Sequence, residues 1–389
     1  MSDSLFDQIG LKVNYYTPLA KTGAEQGTLT REIASYSQEI LAVGGYWTCD
    51  IGLTLSLKNA ETWYALGLGR QIKAYTKSGI VWEGFVNQVQ VNAGAVTETR
   101  GPVLDIGNRV SAAYTPVDFS VYPPVTGTET TTIITENLDS QAEFGIVEKV
   151  IAAGQCTQDT AEQLRDIQLQ DGSWPATSGP LSIAPGSAQF PAVTLNCLGN
   201  VHWLTAFIYE DVTPGYIILS DKLQNIITAD PNGYISTDFI NMVANNFLLE
   251  QMEAKGRFAF DIITELLNLG NDTDDYRRNF GVYNDRMVYY SAIPTDYSYT
   301  HRLSDPAQRV LDRGKRIVYP WAVRPGRWLF VPDFVPGFIP PNANLRSDPR
   351  WKFLESVRYS AVASLDLSGG KLDRLSQALA KITMNGGYL

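Results

Sequence analysis

Histidine is almost missing from this 389-residue chain: it has two, His202 and His301. Neither stands at metal-ligand spacing from the other or from a cysteine, so no metal site is nominated. Members of a Ser-His-Asp triad meet in space and not in sequence, which leaves that arrangement open, but no G-x-S-x-G elbow singles out a serine. Cysteine is nearly as sparse. Cys49, Cys156 and Cys197 are odd in number and lack C-x-x-C spacing, which points to free thiols in a reducing compartment and away from a secreted disulfide framework. No apolar run has the length of a membrane span, and the N-terminus MSDSLFDQIG lacks the basic region and apolar core of a signal peptide. The expectation is a protein without a membrane anchor, made and assembled in the cytoplasm, with no catalytic, cofactor or metal residues to assign.

What is present is a folded chain rich in aromatics. Hydrophobic residues make up 44% and charged residues 19% of the sequence, which excludes disorder, and the length favours two domains. Twenty Tyr, 15 Phe and 8 Trp suit β-rich domains and large interfaces, where aromatics bury area at low entropic cost. The net charge of −10 is unevenly spread: residues 1–300 hold 17 Lys/Arg against 34 Asp/Glu, and residues 301–389 hold 14 against 7. Two solvated surfaces of opposite bias are one reading; an acidic part meeting a basic part, within a subunit or between subunits, is the other. Screening restricts the second to close apposition, within roughly 8 Å at physiological salt. The basic residues form no run of the kind that marks a nucleic-acid tract.

Periodicity divides the chain. Ser35–Ala42 fits a strand or a short helix. Ile51, Leu53, Leu55 and Leu57 alternate with polar residues and predict a strand, and Gln71–Tyr75, Val81–Val91 and Arg109–Tyr114 predict others. A Pro, Gly and Thr-rich connector, 117–135, follows. Ser140 and Glu143 read as a capping box for a helix with Phe144, Val147, Val150 and Ile151 on one face and Gly154 at its end. A second helix starts near Thr157 with Ala161, Leu164 and Ile167 on one side. After a Pro/Gly loop, 171–191, come strands at Ala192–Leu198, Leu204–Tyr209 and Tyr216–Leu219, then a helix Asp221–Ala229 capped by Ser220. Ile240 to Leu248 fits a helix or a strand; Ala259 to Leu267, stopped by Gly270, fits a helix. Arg324-Pro325-Gly326-Arg327 predicts a type II turn between strands 317–323 and 328–331. Phe353–Tyr359 and Ala361–Leu367 read as strands, and Leu372, Leu375, Leu379 and Ile382 as a last helix.

Several motifs imitate chemistry. Gly67-Leu68-Gly69-Arg70 lacks the third glycine of a nucleotide loop and reads as a turn. Asp230-Pro231-Asn232-Gly233 looks like part of a calcium loop, but the first and last ligand positions fall on Thr228 and Phe239, so a turn is the better reading. Asp272, Asp274 and Asp275 fit a solvated loop. Forty-one carboxylates could hold a glycosidase pair, and exposed Tyr or Trp could stack on sugars, but no motif selects them.

One stretch stands out. In residues 79–116, Trp82-x-Gly84-x-Val86 is followed by Asn108-x-Val110-x-x-x-Tyr114-Thr115, which resembles the W-x-G hairpin of the baseplate hub or tail-tip hub family of long-tailed bacteriophages. Ser140 to Glu148 with Ala161-x-x-x-Arg165-Asp166 is similar to the helical stretch that follows it there. Gly281-Val282-Tyr283-x-x-Arg286-x-x-Tyr289 and Phe353–Leu367 with Gly369-Gly370 resemble later segments of the family in the same order. The resemblance implies a mainly β, α+β fold of two tail-tube-like antiparallel β-barrels, residues 1–214 with a helical segment 138–170, and residues 215–389. It implies a non-enzymatic virion protein at the hub or distal end of the tail tube. Its partners would be copies of itself in a homotrimeric ring, other tail proteins (tube, distal tail, fibre or spike), and genomic DNA only in passage through an acidic lumen. It also implies that Trp82, Gly84, Asn108, Arg109 and Tyr114 shape the first barrel, and Arg286, Trp321, Pro325 and Gly326 the second. Larger hubs carry an appended lysozyme, peptidase or fibre domain, which this sequence lacks, so wall cutting would fall to other proteins. The rival readings are a carbohydrate-binding adhesion module and a polysaccharide hydrolase of the tail tip.

Overall fold

The computed structural model describes residues 10–93, 96–178, 191–211, 215–249, 254–270, 277–294, 298–306, 309–334, 348–360 and 365–370. The fold is mainly β, built on one large branched sheet. Its strands in chain order begin with β1 (Lys12–Pro18), β2 (Glu25–Leu29), β3 (Ile33–Leu41), β4 (Val43–Thr54), β5 (Arg70–Thr76), β6 (Gly79–Ala93) and β7 (Val96–Arg100). β2 pairs with β1, β1 with β5 and β5 with β6. Strand Ala192–Gly199 then lies between β6 and β4, antiparallel to both, and β4 pairs with β3. β3 continues into Trp351–Ser360, Trp328–Phe330 and Tyr299–His301, and the hairpin Val310–Asp312/Arg316–Val318 ends that arm. Asn279–Val282 runs parallel to the start of β4. Among the described residues these pairings stay open and close no barrel.

Period-two alternation produced the strands as expected, with Ile51 and Leu53 buried in β4 and Val81, Phe85 and Val89 in β6. Ser35–Ala42, left open between strand and helix, falls in β3 and its exit. β4 does not reach Leu57: Ser56 caps a helix, Leu57–Leu66, whose first residue is 55% exposed. The Ser56 hydroxyl accepts from the Asn59 amide, and a cap of that kind outweighs one more step of alternation.

β8 (Arg109–Asp118) leaves the large sheet for a smaller one. Its main partner corrects the longest expected helix. The helix spans only Leu138–Phe144, capped by Asn137, and Gly145 ends it at φ 82. Glu148–Cys156 is a strand parallel to β8. Apolar residues at 144, 147, 150 and 151 fit a helix face, but Val150 and Ile151 are β-branched and suit a ladder as well. The helix from Thr157 forms as Gln158–Gly172 and packs on β8 through Ala161, with Arg165 buried on the same side. Leu164 and Ile167, expected inward, are 41% and 55% exposed.

Further on, a 3-10 turn, Asn200–Thr205, precedes strand Ile208–Asp211, where one strand was expected. Helix Leu219–Thr228 begins before Ser220, which lies in its first turn and bonds the Asn245 carbonyl instead of capping. Ile240–Leu248 forms no helix: Ile240 and Val243 are 78% and 56% exposed, and the Val243 amide donates to Tyr290. Helix Ala259–Leu267 forms as read, with Ile262, Ile263, Leu266 and Leu267 buried. The strand expected over 317–323 shortens to Arg316–Val318 before a 3-10 turn at Pro320. The closing strand is Leu365–Gly370. The last helix and the Asp272–Asp275 loop lie outside the described residues. One core fills the large sheet around Tyr36, Ile51, Trp82, Phe85 and Leu195 and reaches Trp321 and Tyr359. A second packs the helices 219–228 and 259–267 against Phe280, Val288 and Tyr290.

Candidate functional site

The W-x-G strand owes its residues to a close approach. Trp82 is fully buried in β6, and a Cβ on Gly84 would run into the Trp82 ring and the Leu198 carbonyl of the neighbouring strand. Only glycine lets strand 192–199 lie against β6 beside the indole. Asn108, also fully buried, ties this region to the next segment. Its side-chain amide donates to the Gly145 carbonyl at 2.8 Å and to Ser140 Oγ at 3.2 Å, and its oxygen accepts from the Val147 amide at 2.8 Å. Arg109 bridges Glu136 and Glu148 at 3.1 and 2.9 Å. Burial raises the Glu148 pKa, against the pull of the Ile208 amide and Arg109. Tyr114 packs with Ala112 and Ala161, and Arg165 reaches the Ile133 carbonyl at 3.0 Å.

A second junction joins residues far apart in the chain, and sequence reading missed it. Glu83, between Trp82 and Gly84, has no exposed side-chain surface. One oxygen accepts from Gln71 at 2.9 Å and faces Lys73 at 3.5 Å; the other accepts from the Asp285 amide at 2.6 Å. Lys73 also bonds the Asp285 carboxylate at 2.8 Å. Burial raises the Glu83 pKa, with Lys73 and the Asp285 amide pulling against it. Burial pushes Lys73 down, but the Asp285 and Glu83 carboxylates more than offset it and hold its pKa above the ordinary value. The turn so gripped is strained: Asp285 and Arg286 both have positive φ, 57° and 62°. Such residues cost about 1–3 kcal/mol each and persist where surroundings impose them. Here the Arg286 carbonyl accepts from the Ser236 amide, and Tyr46 Oη bonds Asn284 at 2.5 Å.

The Asp230-Pro231-Asn232-Gly233 segment is a turn, as its missing ligand positions required. Asp230 accepts from the Asn232 and Tyr234 amides, and Asn232 makes a two-way bond with the Ile146 backbone at 2.6 and 2.9 Å. The remaining residues of the second set also hold elements together. Trp321 donates to Ser78 Oγ at 2.9 Å, and Gly326, at φ 75, sends its amide to the Leu354 carbonyl. Pro325, Gly326 and the arginines on either side line a cleft of about 470 Å³ with Tyr46 and Tyr283.

Glu83 and Asp285 are the carboxylates this structure brings together at the junction, and Lys73 stands between them. Both Glu83 oxygens are engaged inside the protein, an arrangement that fixes the turn, while the Asp285 side chain is 71% exposed. His202 packs against Trp47, ring centres 4.0 Å apart and planes tilted 45°, and burial lowers its pKa to about 4, so it is neutral at pH 7. Trp63, Trp82, Trp203, Trp321 and Trp328 are buried, while Trp174 is 47% exposed. Among the described residues no group of three His, Cys, Asp or Glu could hold a metal. Cys49 and Cys197 are free, buried and opposite each other in register.

No protein-family model matches the sequence, and no curated protein matches it. Among solved structures, the chain is similar to the tail protein from Neisseria meningitidis MC58, with a TM-score of 0.38 and 9% identity over 90% of this chain and 92% of that one. It is also similar to the 43 kDa tail protein of prophage MuSo2 from Shewanella oneidensis, with a TM-score of 0.40 and 7% identity over 94% and 97% of the two chains.

Proposed function

We propose that the protein is a non-enzymatic structural component of a phage tail, at the hub or distal end of the tail tube. Copies form a ring around the DNA channel and hold the tail-tip proteins. The observation that carries this reading is where the hub-like segments meet. Asn108 and Arg109 join the W-x-G region to residues 136–148. Glu83 grips the Gly281–Arg286 segment through Asp285, and Trp321 and Tyr359 join strand Trp351–Ser360 and the 3-10 turn at Pro320 to the same core. Segments that resemble the family's pattern meet at these joints between elements, which is what a tube wall under load requires.

In this reading residues 1–214 and 215–389 each supply one tube-like barrel, and the ring of three chains has six such units. The described sheet is open at β2 and at Arg316–Val318, so neighbouring copies complete the wall. The acidic residues 1–300 suit a bore that repels phosphates during passage. Imaging of the particle tests the proposal. A three-fold ring of this chain, coaxial with the tube, is expected. A six-fold ring would move it to the distal-tail or tube role, and a peripheral position would remove it from the hub.

A further inference from the structure

Two exposed surfaces of this chain match each other in charge and in apolar content. The first is the outer side of helix Gln158–Gly172. Its inner side, Ala161 and Arg165, rests on β8. Asp159, Gln163, Ile167 and Asp171 follow one outward row at i, i+4 spacing, with Leu164 beside it, and all five are exposed. The helix holds four carboxylates and one arginine, and that arginine is the buried Arg165. Leu164 and Ile167 leave apolar surface in the middle of an acidic face, where an isolated subunit gains nothing from it.

The second surface is the hairpin that ends the large sheet's arm. Residues 299–318 carry five Lys/Arg and two Asp. The hairpin turns at Arg313 and Gly314, with φ 45 and 71, and Arg313, Lys315 and Arg316 are all exposed around it, as is Asp312 opposite Arg316. Ile317 (58% exposed), Tyr319 (59%) and Leu303 (53%) set apolar surface among them. Tyr319 is held flat on Trp321, at 4.8 Å between ring centres and 6° between planes, so this surface is ordered.

We propose that the outer face of helix 158–172 of one copy docks on the 310–319 hairpin surface of the next. The partner is a second copy because one sequence provides both halves: an acidic face with two central aliphatics and a basic face with two aliphatics and a fixed tyrosine. The contact is heterologous, so it repeats around a ring or along a filament. This rests on the ring in the proposed function and deepens it by naming the surfaces.

The test uses the full chain, with mass measured by light scattering over a range of concentration and salt. Wild type assembles, and assembly weakens as salt rises. Asp159→Lys with Asp171→Lys, and separately Lys315→Glu with Arg316→Glu, each weaken association at least tenfold. Mixing the two variants restores association beyond a dimer, since the native helix face of one meets the native hairpin of the other and the two reversed faces meet in turn. Combining all four changes in one chain restores the full assembly. Circular dichroism and melting curves matching wild type certify that each variant is folded. A wild type that stays monomeric, assembly untouched by either reversal, or a quadruple variant that stays apart each overturns the proposal. Those outcomes leave the tail reading standing. A chain that passes every step but is absent from the imaged tail overturns the tail reading alone.

Discussion

Single residues in this protein act where two backbones come close or where a buried group has one partner. Gly84→Ala forces a Cβ into the Leu198 carbonyl and the Trp82 ring, and a strand cannot yield to both. A loss of about 3 kcal/mol is expected, read as a lower urea midpoint. Asn108→Ala leaves the Gly145 carbonyl and the Val147 amide without their partner, at a cost of about 2–4 kcal/mol. If the midpoint moves less than for a typical surface change, Asn108 is not the joint described. His202 supplies a pH signature. Its pKa is about 4 when folded against an ordinary 6.5, so the unfolded chain binds the extra proton between those values. Stability is therefore full above pH 6.5 and is lost as pH falls toward 4, by up to roughly 3 kcal/mol. Glu83, Glu148 and Asp230, whose pKa values are raised, act with the opposite sign. The comparison with His202→Gln isolates the histidine: on going from pH 7 to pH 5 the wild type's melting temperature moves downward relative to the variant's.

At the scale of elements, the 230–234 turn and the Glu83–Asp285 contact are clamps, and each has its own readout. Asn232→Ala removes the two-way bond to Ile146 but leaves the Val147 amide on Asn108. Amide exchange at Ile146 is expected to quicken about tenfold while Val147 keeps its protection; equal quickening at both would mean that the segment opens as one piece. These clamps also mark what a reader of the sequence could find. β4, β5 and β6 and helix 259–267 were legible because burial of one face leaves a period in the residues. Glu83 had a signal of its own, a carboxylate inside the apolar run Trp82–Phe85, and it was not taken up. Lys73 and Asp285 had none, since their contact spans 212 residues and no local pattern records it. Strand Glu148–Cys156 was misread because Val150 and Ile151, two of the four apolar residues spaced for a helix face, are β-branched and suit a ladder as well. Leu164 and Ile167 gave a true helix and a false inside, for helical spacing records which residues share a face and not whether that face is covered.

For the whole molecule, the charge bias in the sequence proved local as well as global: an acidic helix and a basic hairpin each concentrate it on an exposed surface. The two-sided test of those surfaces belongs at this scale, as does the image of the ring. The path of the sheet has one more consequence, which concerns synthesis. Strand Ala192–Gly199 fills the gap between β4 and β6, and Trp351–Ser360 covers the outer side of β3. A chain leaving the ribosome therefore presents two facing strand edges until residue 199 has emerged, and a third until residue 360 has. Most pairing waits on distant partners, so folding comes late and as a unit. Nascent chains arrested before residue 192 should be cut quickly by protease, and those arrested past the closing strands should resist; early resistance would show that β1 to β7 fold without their central strand. The same geometry that joins distant strands into one sheet leaves its unfinished edges open to wrong neighbours for most of the time the protein is being made.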